Sequence, residues 1–356
     1  MRPIQHALNK VEENQATVTG GHVFGEYMTV KRAGMETEHT DLMQGTSAEH
    51  MNIYQGVGSP VNAKVSEEDL DELLKQAKLD WEVKVADGIA YGDNYQFKSD
   101  RDRIIYRDNP DGGQPIHLGT TSTRWLPFQN NQVVKSFINF CKNSNLEMER
   151  LGFLDEGRTI FCVAKINESF ILPGEDLVEG KLLLTNSNRA GRGARVDLMC
   201  PRMICTNQLV LPVKIAGQVI THTSSYSEVR VQRILESAKT GFGQFKTDAE
   251  FLAQTSIDDK VAHSLVVKIL GNVDKGLDDQ PKAVKEVLDL YYGEGIGSSL
   301  LSAYSTAWGL TQAVTEYYNH HSSRRGGVNG HINSLWLGSK RSKQESALKQ
   351  IVTVLR

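Results

Sequence analysis

The sequence has no run of about 18 consecutive apolar residues, so it offers no candidate for a membrane-spanning helix. Its first fifteen residues also lack the apolar core that a secretory signal requires. The expected setting is therefore the cytoplasm, for a soluble chain with no membrane partner. Cysteine is scarce: Cys141, Cys162, Cys200 and Cys205 are the only four, and none belongs to a CxxC pair. Cys200 and Cys205 have no second pair with which to complete a four-ligand zinc site, so reduced structural thiols are expected. An excess of either charge is missing too. With 40 Lys+Arg against 43 Asp+Glu, the whole molecule does not present the field of a strongly basic nucleic-acid binder, and any such contact must come from a local patch.

Catalytic signatures are absent as well. There is no GxxxxGK[ST] loop, no GxSxG elbow and no HExxH pair, and no two-His-plus-carboxylate spacing accompanies His320, His321 and His331. Gly293-Glu-Gly-Ile-Gly297 follows a helical pattern rather than a strand, which is the wrong context for a dinucleotide loop. No catalytic residue, cofactor or metal is expected, and a non-enzymatic role is favoured. Glu316 and His320, four apart on one predicted helix face, are the pair to inspect first for hidden chemistry, against the plainer reading of a helix-surface hydrogen bond.

The 356 residues, 39% of them hydrophobic, suffice for one large core or two modest ones. Residues 1–60 have few apolar anchors and no periodicity, which predicts an arm that is flexible or ordered only against a partner. A helix is expected from Ser66, where Asp69 can return a capping-box bond. Short strands follow at 81–85, 103–106 and 116–118, then a helix over 131–143 and strands at 159–166, 180–185 and 194–199. Helical spacing dominates beyond residue 207, at 226–239, 247–255, 257–270, 282–292 and 306–321. The expected fold class is α+β: an antiparallel β-sheet module in the middle of the chain with a mostly helical C-terminal half. Residues 61–356 are read as a single domain, sheet-rich over 80–206 and helical over 207–356.

Three segments have the composition of a nucleic-acid contact. The predicted hairpin loop 186–195 carries Arg189, Arg192 and Arg195 among glycines and without an intervening acid, a group that would repel itself unless an anion were present. The stretch 320–356 holds Arg324, Arg325, Lys340, Arg341, Lys343, Lys349 and Arg356 against one acid, Glu345, with Trp336, Tyr317 and Tyr318 nearby. Arg124 and Trp125 precede the turn Pro127-Phe-Gln-Asn130, which can either hold a stacked base or pack its rings into the core with Asn130 as a helix cap. The plain alternatives are a solvated hairpin tip for the loop and core positions for the aromatic rings.

Several segments together resemble a known family. Leu182-Leu-Leu-Thr-Asn-Ser187, Arg195-Val196 and Pro201-Arg-Met-Ile-Cys-Thr-Asn207 resemble the central signature of the uncharacterised phage/plasmid-like protein family. Leu79-Asp-Trp-Glu-Val83, Pro127-Phe-Gln-Asn130, Thr306-Ala-Trp-Gly309, Ala313-Val-Thr-Glu-Tyr317 and Trp336-Leu-Gly338 follow in family order, from about residue 56 to the C-terminus. The resemblance implies an accessory gene of phages, prophages or plasmids, acting in a bacterial host. Single-strand annealing proteins offer an analogy at the level of fold alone. Two functions are thus expected. One is an oligomeric binder of nucleic acid, single-stranded DNA favoured, in recombination or replication. The other is a protein-interaction or assembly protein, with a host or phage protein as partner.

Overall fold

The computed structural model describes residues 57–189, 191–205, 207–212 and 219–356. Most of the expected N-terminal arm, residues 1–56, lies outside the described residues. From Val57 the chain enters the core, and strand β1 (Ser59–Ala63) pairs antiparallel with β5 (Glu147–Leu154). The expected capping box forms, with Asp69 accepting from the Ser66 backbone N–H at 2.7 Å. It opens a 3-10 turn (Glu67–Asp69) that leads into α1 (Leu70–Gln76).

The expectation of an antiparallel sheet followed by helices holds. The large sheet runs β1-β5-β6-β7-β8-β10, with β6 at Thr159–Leu172, β7 at Asp176–Ser187, β8 at Gly193–Arg202 and β10 at Val219–Thr221. The outer edge of β8 is shared: β10 pairs with its first residues and β9 (Asn207–Pro212) with its last. Strand period two gives this sheet two buried faces. Gly180 abuts the Phe242 ring on one face, where α2 (Asn130–Asn143) and α3 (Glu228–Gln254) pack. On the other face Phe161 meets Trp336 of α7 (Gly327–Leu337) edge-on at 5.1 Å, and Asp197 meets Arg341 of α8 (Ser339–Leu355). Burial on both faces explains why β6 to β8 read as nearly continuous apolar runs.

The remaining helices are α4 (Asp259–Leu270), α5 (Lys282–Asp289) and α6 (Ala307–Glu316). Helix α6 is buried along its whole length and touches α3, α8 and β9. A carboxylate fixes its entry. Asp176 is fully buried and accepts from Arg202 Nε (2.7 Å), Ser302 Oγ (2.6 Å) and Trp308 Nε1 (3.0 Å), tying β7 and β8 to the start of α6. One continuous set of buried apolar side chains extends from Val57 to Ile351.

The smaller sheet is β2-β3-β4, formed by Lys84–Gly92, Tyr95–Arg107 and Ile116–Ser122. Its own core is Val83, Ile105, Leu118 and Trp125. The short strands expected here are parts of a much longer hairpin. Its outer part projects from the body and exposes Ile89, Tyr91, Tyr95 and Phe97. Residues 226–239 and 247–255 were expected as two helices and are one. Gly241 and Gly243 stand in open space, while Phe242 and Phe245 continue the buried stripe, so nothing breaks the helix.

Candidate nucleic-acid interface

Strand alternation places Arg195 and Asp197 on the same face of β8, and there they meet α8. Asp197 Oδ1 accepts from Arg195 at 2.7 Å and from Arg341 at 2.8 Å. Two guanidiniums therefore share one fully buried carboxylate. Burial pushes that carboxyl up, the two arginines pull it only part of the way back, and Glu345 adds to the rise. The Nε groups of both arginines and the second Asp197 oxygen have no hydrogen-bond partner among the described residues. Glu345 lies close enough to act on both Asp197 and Arg341, so the two arginines face two carboxylates, with the arginine Nε donors left spare.

The β7–β8 turn is tied to the same helical layer a second way. Arg189 pairs with Asp155, and Asn333 of α7 donates to the same carboxylate at 2.5 Å. Asn188 fixes the base of this turn by donating to Arg158 and Gly157 carbonyls. Arg192 is exposed, and no described carboxylate pairs with it. The turn that carries Arg124 is held nearby: Leu126 N–H donates to His222 O at 2.6 Å, and His222 Nε2 lies 3.0 Å from Ser187 O. Arg124 itself is exposed. Trp125, expected as a stacking surface, is 4% exposed; its ring stacks on His222 with centroids 4.5 Å apart. The plainer alternative for this segment describes it: its rings are core. The helix cap, however, is Gln129 rather than Asn130, through a capping box with Gln132. Asn130 instead donates to the carbonyls of Leu79 and Trp81.

In the C-terminal segment Arg324 and Arg325 are exposed, and Lys343 lies over the Tyr318 ring at 5.8 Å. Trp336 is buried and donates to Gln208. Lys340 Nζ reaches back to Ser323 O (2.8 Å) and His331 Nδ1 (2.7 Å), and burial with Arg324 close by brings its ammonium down to about 8. Of the cations expected from sequence, Arg189, Arg195, Lys340 and Arg341 are held at the β7–β8 turn and the α7–α8 corner, whereas Lys349 pairs with Glu345 and Arg356 with Asp248 of α3; among the rings expected beside them Trp125, Tyr318 and Trp336 are buried.

Sequence reasoning missed the acids that organise this face, Asp155 and Asp197. Only the Arg-x-Asp alternation of 195–197 hinted at one of them. The inspected pair Glu316 and His320 is not the one formed. α6 ends at Glu316 and continues as a π-turn (Tyr317–His321), so the residue five positions on, His321, faces Glu316 at 3.9 Å, and His320 turns inside. All four cysteines are buried free thiols, with burial pushing Cys141 up to about 12. Among the described residues no group of three His, Cys, Asp or Glu side chains is placed to hold a metal, and no helix is long and apolar enough to cross a membrane.

An α+β protein with a cationic face built from a hairpin turn and two C-terminal helices is the class that these observations define. The chain belongs to the family described as Domain of unknown function (DUF932), whose model matches residues 117–350. The matched span begins in β4 and ends in α8, so it holds both halves of the cationic face and leaves out the β2–β3 hairpin. No curated protein and no solved structure matches the chain.

Proposed function

We propose that this protein binds single-stranded nucleic acid, DNA in preference, through the face formed by the β7–β8 turn and the α7–α8 corner. The reading includes an oligomeric accessory role in phage or plasmid recombination or replication, in the cytoplasm of a bacterial host. One observation carries it: Arg195 and Arg341, 146 positions apart in the chain, converge on the single carboxylate of Asp197. Around that point Arg192, Arg324, Arg325 and Lys343 are exposed without a described carboxylate partner. Such cations draw a phosphate backbone and release its counterions, while the near-neutral remainder of the chain does not compete for the strand.

The test is fluorescence anisotropy of a labelled single-stranded oligonucleotide across a salt series. Each lost phosphate contact flattens the log–log salt slope by about 0.7 for a single strand. The triple variant Arg192→Ala, Arg324→Ala and Arg325→Ala is expected to flatten it by about 2. Undetectable binding at low salt, or an unchanged slope in the variant, defeats the reading.

A second reading, a protein-interaction or assembly role, is favoured by the exposed Ile89, Tyr91, Tyr95 and Phe97 on the β2–β3 hairpin. Register puts Ile89 and Tyr91 on one face of the hairpin and Tyr95 and Phe97 on the other, two exposed apolar pairs of the kind that commonly mark a protein contact. Light scattering of a Tyr91→Ser, Tyr95→Ser, Phe97→Ser variant separates the two. A drop in mass with strand affinity intact assigns the hairpin to assembly alone.

A further inference from the structure

One corner of the cationic face has the parts of a nucleophile. Lys340 sits in the first turn of α8, half-buried, and no described carboxylate pairs with it. Two of its ammonium protons are engaged, one by Ser323 O at 2.8 Å and one by His331 Nδ1 at 2.7 Å. His331 is 1% exposed, and its other nitrogen, Nε2, lies 2.8 Å from Asn319 O. A carbonyl oxygen only accepts, so Nε2 carries the ring proton and Nδ1 is left as an acceptor facing Lys340. An amine, a base within hydrogen-bond reach and a third group that fixes the base follow the logic of an activated nucleophile. Arg324 lies close enough to repel both Lys340 and His331. That repulsion favours the uncharged amine and leaves Arg324 available to an anion.

We propose that Lys340 is a nucleophilic lysine that forms a Schiff base with a phosphate-bearing aldehyde, the phosphate being received by Arg324. Two sources share that chemistry: a small sugar phosphate and the ring-opened abasic site of a nucleic-acid strand. The step balances without a co-reactant. The neutral amine attacks the carbonyl carbon, the C–N bond forms, and the carbonyl π pair becomes an alkoxide that takes one nitrogen proton. The nitrogen lone pair then expels the hydroxyl group, His331 Nδ1 accepts the remaining nitrogen proton, and that proton departs with the hydroxyl as water. Amine plus aldehyde gives imine plus water. The source in an abasic strand rests on the nucleic-acid reading; the source in a sugar phosphate does not.

At pH 7.5 an amine that titrates near 8 is roughly 200-fold richer in its neutral form than an ordinary lysine, and its lower basicity gives back part of that advantage. Reductive trapping of the full chain with cyanoborohydride reads the outcome by peptide mass. The probes are glyceraldehyde 3-phosphate, unphosphorylated glyceraldehyde, and a single-stranded oligonucleotide with or without one abasic site. Lys340 is expected to be labelled at least about ten-fold faster than the exposed Lys349, which is paired with Glu345. The rate should rise to a plateau above about pH 8, and Arg324→Ala should remove the preference for the phosphorylated probe. Trapping by either phosphate-bearing source sustains the inference and names the source. Labelling spread over lysines by exposure, or none at Lys340 with any probe, overturns it. Lys340→Arg keeps the charge and must abolish the adduct. Intact-strand binding is measured in parallel, so failure of the nucleic-acid reading is seen separately.

Discussion

Replacing Asp197 by Asn tests the construction of the cationic face where it is most exposed to error. The substitution keeps the shape of the side chain and one acceptor oxygen, but removes the carboxylate charge that Arg195 and Arg341 share at 2.7 and 2.8 Å. Arg341 is 6% exposed, so water cannot replace the lost partner, whereas Arg195 is partly open and recovers some solvation. Breaking a buried pair by removing one partner costs about 3–5 kcal/mol, and the partial exposure of Arg195 places this variant near about 3 kcal/mol. That is a large share of the roughly 5–15 kcal/mol that holds an ordinary domain together. Arg341→Met instead leaves a one-to-one Arg195–Asp197 pair and should cost less than Asp197→Asn. Urea denaturation of both variants and their double mutant measures the coupling. Added sulfate should stabilise Asp197→Asn more than the wild type, because an anion can take the vacated role. The reasoning is refuted if Asp197→Asn lies within about 1 kcal/mol of wild type, or if Arg341→Met costs more.

Other outcomes follow from particular contacts. A Cβ on Gly309 would lie 1.9 Å from Ala303 O, a backbone atom that cannot yield, so Gly309→Ala should destabilise by about 3 kcal/mol or more despite the better helix propensity of alanine; thermal unfolding checks it. Ser302→Ala removes a 2.6 Å hydrogen bond to buried Asp176 and should cost about 1.5–3 kcal/mol in urea. Glu316 holds His321 above its ordinary pKa, with Glu286 and Glu294 adding to the effect. That stabilisation is complete below the unfolded value near 6.5 and is lost as pH rises through the higher folded value. Unfolding midpoints between pH 5.5 and 8 should therefore fall with pH more steeply in wild type than in His321→Gln.

Much of the fold was legible because its signals are local. The Ser66–Asp69 box and the apolar runs of β6 to β8 each act within a few positions. The misreadings have equally physical sources. Gly241 and Gly243 fall between the two expected helices 226–239 and 247–255, yet they only face open space on one helix whose buried side is continuous. The π-turn after Glu316 moves each following side chain by one position, and nothing in the spacing of Glu316 and His320 announces that shift. The cations of the candidate site were visible as composition. Their arrangement was not, because it depends on Asp155 and Asp197 meeting residues far away in the chain. Trp125 and Trp336 were offered for stacking on bases, but a large ring among cations is also what a core near the surface requires, and both rings are buried.

The most direct test of the central claim is amide hydrogen exchange on the full chain, with and without a saturating single-stranded oligonucleotide at low salt. A strand seated on the proposed face should slow exchange in residues 188–195 and 322–343 together, and high salt should reverse the effect. Protection absent from both segments, or confined to the 89–98 hairpin tip, would contradict it.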